Sequence, residues 1–162
     1  MRLAQVLLYS VCAAVLTSEA SPVRAGQADA LLGSWKLISY TLEYVDNGTK
    51  KDVYGANPKG YYLFTKDRLM VLLTPSDRKV PTSTAQAADM LSAMTAYTAR
   101  YKLEGDKFIF TPDVSHNEYY VGKEQVRHYK ISGNRLSVTT RPQAPANDPG
   151  KRVIAHVEFI RE

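Results

Sequence analysis

From Gly33 to the C-terminus the sequence is a train of short aromatic and β-branched runs separated by turn dipeptides, opening on Gly33-Ser34-Trp35-Lys36-Leu37. Alternation of bulky and polar residues puts successive side chains on opposite faces of a strand. A sheet of many such strands, with little helix to cover it, must bury one face against itself. A closed barrel or a sandwich does so, and short turns with no cysteine to staple two sheets favour the barrel. Trp35, early in the first strand, suits the closed end, where a large flat side chain fills the taper. Arg161, at the end of the last run, is placed to stack on that indole and close the bottom.

The first 25 residues read as a secretory signal peptide, leaving 26–162 as one domain. Arg2 supplies a positive start, Leu3 to Leu16 is almost continuously apolar, and small residues follow, with cleavage after Ala20 or after Ala25. The apolar stretch is shorter than the roughly 20 residues of a spanning helix, so no integral membrane segment is expected after processing. Cys12 is preceded by Val11 rather than by a small residue, which argues against lipidation, and the one cysteine leaves with the signal. The expected location is the periplasm or the medium.

The full chain carries a formal charge of +5, and loss of Arg2, Arg24 and Glu19 leaves 19 basic and 15 acidic side chains. Lys50-Lys51, Arg78-Lys79 and Lys151-Arg152 lie beside turns without interleaved aromatic residues, so a nucleic-acid platform is not expected.

Trp35 to Val45 alternates up to Asp46-Asn47-Gly48-Thr49, whose Asn-Gly pair signals a hairpin. The same residues fit an N-glycosylation acceptor at Asn47, although turn chemistry accounts for them. Tyr54 to Gly60 is a loop rich in breakers, followed by strands over Tyr61 to Thr65 and Leu69 to Thr74. Ser83 or Thr84 can cap the one expected helix, in which Ala87, Met90, Leu91 and Met94 recur at helical spacing. That stripe suits either a lid over the barrel mouth or packing on its wall. Tyr97, Ala99, Tyr101 and Leu103 then share a face, Phe108 to Thr111 returns, and Pro112 to Val121 stays open between loop and edge strand. Glu124 to Ile131, Leu136 to Thr140, a proline-rich loop through Gly150, and Val153 to Ile160 complete the pattern. The expectation is an all-β, single antiparallel up-and-down barrel of about eight strands with one short helix, monomeric.

Leu32-Gly33-Ser34-Trp35-Lys36-Leu37-Ile38-Ser39-Tyr40, Tyr54-Gly55-Ala56-Asn57-Pro58-Lys59-Gly60-Tyr61, Gln125-Val126-Arg127-His128-Tyr129-Lys130, Gly133-Asn134-Arg135-Leu136 and Thr140-Arg141-Pro142-Gln143 together resemble the lipocalin-like domain family. The resemblance covers nearly the whole mature chain. It implies a small calycin-type barrel, in a family that is mostly bacterial and whose members include cyclase-type relatives from natural-product pathways. The family pattern would carry a histidine near Phe110 and Thr111 and tryptophans near positions 116 and 120. This chain has His116 and Tyr120 there instead.

Within the chain, the strand through Gln125, Arg127, Tyr129 and Ile131 carries the best functional signal. Period two turns all four the same way, so a guanidinium and an amide would face the lumen together. A buried arginine needs a partner, and three arrangements fit: an internal carboxylate such as Glu158 or Glu43, a register with Arg127 facing solvent, or an anionic ligand. Of the chain's 11 tyrosines, Tyr61, Tyr97, Tyr101 and Tyr129 fall on faces expected to turn inward. A phenol offers a broad apolar ring with a polar tip, which suits ligand contact as well as core packing.

Catalytic signatures are sparse. His116, His128 and His156 are far apart, so no metal is expected, and no nucleophile elbow or phosphate-cradling glycine loop occurs. His116 with Glu118 is the pair to inspect for acid–base chemistry. The favoured reading is an exported barrel without cofactor that binds a small, partly apolar or amphipathic molecule, with Arg127, Gln125, Tyr129, Tyr97, Tyr101 and Tyr61 as ligand contacts. The alternatives are a cyclase or isomerase working inside the barrel, and an envelope or stress protein with a filled barrel and a protein partner. The last predicts Tyr97, Tyr101 and Leu103 packed on Leu37, Leu63 and Val138 with no lumen left.

Overall fold

β1 (Gly33–Tyr44) is the strand on which the sheet closes, because it has neighbours on both sides. Its first residues pair with β3 (Lys59–Phe64), its far end with the three-residue β2 (Lys50–Asp52), and its whole length with β9 (Val153–Arg161). Between them run β4 (Arg68–Thr74), β5 (Thr95–Glu104), β6 (Lys107–Ser115), β7 (Gln125–Ser132) and β8 (Arg135–Thr140), each antiparallel to the next. β1 and β3 to β9 form a closed eight-stranded up-and-down barrel, with β2 continuing the line of β3. Closure removes the sheet edges and needs no disulfide. The computed structural model describes residues 22–144 and 150–162. Nearly all of the stretch expected to be a signal peptide, Cys12 included, and the middle of the proline-rich loop lie outside them.

Two bulges set which side chains face inward. In β1 the register with β9 shifts between Leu37 and Ser39. Trp35 and Leu37 are inward before it, and Tyr40, Leu42 and Tyr44 after it. One extra residue thus moves the inner set from odd to even positions. In β6 the register with β5 shifts at Asp113, next to Pro112, so the stretch left open between loop and strand is a bulged strand to Ser115 followed by a 3₁₀ turn, Glu118–Tyr120. Proline is tolerated at such a bulge because no ladder hydrogen bond is required of it there.

At Asn47-Gly48 the expected tight turn forms: Gly48 N donates to Tyr44 O at 2.8 Å, and Thr49 N to Asn47 Oδ1 at 2.9 Å. Gly60 is demanded by packing. Its φ is +144°, and a Cβ there would lie 2.1 Å from the carbonyl oxygen of Leu72 on β4.

The core fills the end of the barrel where β1 begins. Trp35, Phe108, Phe159, Leu69 and Leu136 have no exposed surface. A helix not anticipated from the sequence, α1 (Pro22–Leu31), closes this end. Its sequence has almost no amphipathic pattern; what fixes it is the contact of its last turn with the barrel, where Leu31 is fully buried. Trp35 Nε1 donates to Leu31 O at 2.8 Å. The Arg161 guanidinium lies 4.1 Å from the Trp35 ring centroid and donates to Leu32 O at 2.7 Å and to Ala30 O.

The anticipated helix, α2 (Thr84–Ser92), is capped by Ser83, whose hydroxyl accepts from Gln86 N at 3.3 Å. None of its residues is buried, and Leu91 is 53% exposed. It therefore stands beside the opposite, open end and is not packed on the wall. No helix among the described residues is long and apolar enough to cross a membrane.

Candidate functional site

Above the packed end the barrel holds a cavity of about 1040 Å³ that opens between α2, β2 and the 3₁₀ turn. This lies at the top of the range of small-molecule sites. Its existence contradicts the filled-barrel packing. Leu63, one of the residues expected to fill the lumen, is instead on the outer face and 40% exposed.

Arg127 stands at the cavity floor. Its register neighbours are Phe108 on β6 and Thr140 on β8, and the next inward residue of its own strand, Tyr129, is buried core. Its side chain turns up into the lumen: Nη1 donates to Val126 O at 2.9 Å, Nη2 to Gln125 Oε1 at 3.5 Å, and Cζ lies 5.4 Å from the Phe110 ring centroid. The solvent-facing register is thereby excluded. So is the internal ion pair. Glu43 engages Lys50 at 3.4 Å and His156 at 3.0 Å, and Glu158 accepts from Ser137 at 2.8 Å, all on the outer face. Among the described residues that line the cavity there is no aspartate or glutamate.

Around Arg127 runs an arc of phenols. Tyr40 on β1, Tyr62 on β3, Tyr97 on β5, and Tyr54 and Tyr120 from the loops line the same space. The hydroxyls of Tyr62 and Tyr97 lie close enough to perturb each other, and the Tyr54 hydroxyl is 2.8 Å from Thr95 Oγ1. Tyr97 stacks on Phe110 with ring centroids 5.3 Å apart and planes 6° from parallel. Burial pushes the hydroxyls of Tyr40, Tyr54, Tyr62 and Tyr97 above the ordinary phenol range, although Arg127 pulls Tyr40, Tyr62 and Tyr97 the other way. At neutral pH they are protonated, so they act as hydrogen-bond donors and leave the guanidinium charge uncompensated.

Of the residues expected at the ligand, Arg127, Gln125 and Tyr97 meet in this cavity. Tyr129 does not reach it. Its ring packs 6.0 Å from Phe108 in the core, and its buried hydroxyl has no partner. Tyr101 is inward but below the floor, where its hydroxyl donates to Thr65 O at 2.7 Å. Tyr61 is outward, its hydroxyl 3.3 Å from Glu162 Oε1. The neighbouring Tyr62 takes the inward place, because β3 pairs with β1 so that Tyr62 is opposite the inward Trp35. His116 lines the mouth, with Nδ1 3.0 Å from Ala96 O, while Glu118 is exposed, so the two do not form an acid–base pair. Tyr40, Tyr54 and Tyr120 escaped the sequence reading. Tyr40 lies beyond the β1 bulge, and the other two are on loops, where period two gives no signal.

Residues 32–158 match the lipocalin-like domain family, and this span contains every strand that closes the barrel except the last residues of β9. The chain belongs to the lipocalin-like domain family. Among solved structures, this lipocalin-like chain is similar to a lipocalin-like protein from Bacteroides uniformis, at 17% identity and a TM-score of 0.45, covering 82% of this chain and 98% of that one. It is also similar to an uncharacterized protein from Bacteroides eggerthii, at 12% identity and a TM-score of 0.42, covering 80% and 98% respectively. No curated protein matches the sequence.

Proposed function

We propose that this lipocalin-like protein binds a small, partly apolar molecule whose acidic or carbonyl group is met by Arg127. The observation that carries this reading is a guanidinium at the floor of a cavity lined by no carboxylate. A half-buried cation with no counter-charge in its cavity is left to water for its remaining donors, and an anionic or strongly polar guest that displaces this water pairs with it directly. Phe110, Val138 and Val157 supply apolar surface near it.

Binding is favoured over turnover by the same inventory. Around Arg127 the cavity offers protonated phenols, an amide and a cation; the imidazole among its described lining residues, His116, is at the mouth. A cyclase or isomerase would need a base beside the reacting carbon. We also read residues 1–25 as a signal and the working form as an exported monomer, which cell fractionation and the N-terminal residue of the mature protein test.

The direct test is titration with anilinonaphthalene sulfonate, an apolar anion whose emission rises on leaving water. Wild type is expected to bind it, and Arg127→Leu to bind it at least tenfold more weakly while keeping its melting temperature. Equal binding by both would remove Arg127 from the site.

A further inference from the structure

The strands around the cavity differ in chemistry. β1, β3, β5 and β6 present Tyr40, Tyr62, Tyr97 and Phe110 to the cavity, with Leu73 of β4 between Tyr62 and Tyr97 and Leu42 on β1 beside them. On the other side of β7, β8 and β9 present Val138, Val153, Ala155 and Val157, and β9 meets β1 where Val157 is paired with Tyr40. The one hydroxyl on that side, Thr140 Oγ1, already accepts from Ala155 N at 2.9 Å. Arg127, on β7, stands at the junction of the two walls.

The phenol wall has hydrogen-bonding capacity to spare. The Tyr54–Thr95 pair uses one hydroxyl proton internally and leaves the other, and Tyr62 and Tyr97 line the lumen side by side, two phenols that share at most one proton between them and so keep a proton and lone pairs for a guest. A purely hydrocarbon guest would cover these hydroxyls and leave them unpartnered in a place water no longer reaches. A guest oxygenated all round would strand its own polar groups against the valines.

We infer that the ligand is an acid with one oxygenated edge and one hydrocarbon edge, seated acid first at Arg127, oxygens toward Tyr62 and Tyr97 and hydrocarbon toward β8 and β9. This rests on the proposed binding role and narrows it to a class of guest. Straight-chain fatty acids fall outside that class, because beyond the head group they have nothing to offer the phenols.

The test uses two matched probes on the mature protein: an anthracene carboxylic acid, which has no oxygen beyond its head group, and its dihydroxy analogue with both hydroxyls on one edge. Calorimetry on wild type is expected to show the dihydroxy acid binding about tenfold more tightly, the usual worth of one net hydrogen bond or a little more. In the double variant Tyr62→Phe, Tyr97→Phe that preference should vanish, with the plain acid binding no more weakly than to wild type and the dihydroxy acid losing its advantage. A preference that survives the double variant, equal affinity of the two acids for wild type, or no binding of the dihydroxy acid overturns the assignment of edges. Arg127→Leu separates this failure from that of the binding role. If both acids lose affinity in it, the anion site stands whatever the edges do; if neither does, the binding role itself falls.

Discussion

Arg161 and Arg127 are the same side chain at opposite ends of one barrel, and the fold treats them differently. At the closed end the Arg161 guanidinium lies on the Trp35 ring and donates to Leu32 O and Ala30 O, so its charge is spread over an aromatic face and two carbonyls. At the floor of the open end Arg127 has one close backbone acceptor, Val126 O, and the longer contact to Gln125. A cation whose donors are satisfied by the fold is part of the fold. One whose donors point into a cavity is available to something else.

The largest expected effect lies at the closed end. Trp35 is fully buried, and its Nε1 anchors the end of α1, so Trp35→Ala should lower the free energy of unfolding by about 3–5 kcal/mol, the usual cost of emptying a large core site. Urea unfolding measures it. A loss below about 1 kcal/mol would mean that α1 and Trp35 rest on the barrel without holding it.

Next comes the contrast between the arginines. Arg161→Met leaves Leu32 O and Ala30 O without their donors and uncovers the indole, and should cost about 1–3 kcal/mol. Arg127→Leu removes a charge with no counter-ion in the cavity and should leave stability within about 1 kcal/mol of wild type, or raise it. Equal losses in the two variants, by the same urea titration, would show that Arg127 is as structural as Arg161.

The two ends were also unequally legible. Trp35 and Arg161 are read easily because the first and last strands of a closed barrel must meet, and a large aromatic in one calls for a cover from the other. At the open end the inner face depends on details that alternation does not encode. The β1 bulge hands the lumen Tyr40 in place of an odd-numbered neighbour, and the pairing of β3 turns Tyr62 inward and Tyr61 out. Gln125, Arg127 and Tyr97 were found because β7 and the inner face of β5 keep strict alternation; Tyr129 and Tyr101 share those faces but sit below the floor. Alternation gives the side of a wall and not the height along it.

The smallest expected effect concerns how the open end is held. There the continuation of β6 past its bulge is pinned on the outer surface by Asp113, which accepts from Thr98 Oγ1 at 2.7 Å and faces Arg68 Nη2 at 2.7 Å. Those contacts, Arg68 first, lower the Asp113 carboxyl from the ordinary 3.8 to about 2. A carboxylate depressed in the folded state stabilises it fully above its unfolded value, and that contribution is lost as pH falls from about 4 through about 2. Both side chains are about two-fifths exposed, so solvent screens the pair and its contribution is small. Asp113→Asn should therefore be slightly less stable than wild type at pH 6 and indistinguishable from it at pH 2. The closed end has exposed carboxylate contacts of its own, Asp106 to His128 at 3.2 Å and Glu162 to Lys36 at 3.4 Å, but Trp35 and Phe159 there are held by buried rings and by the Trp35 bond to Leu31 O, so hydrogen exchange on moving from pH 4 to pH 2, corrected for the intrinsic rate, should quicken at Val114 and Ser115 before it quickens at Trp35 or Phe159. Simultaneous loosening of both ends would mean that the barrel opens as one unit, and that the division between a structural end and a binding end does not extend to its dynamics.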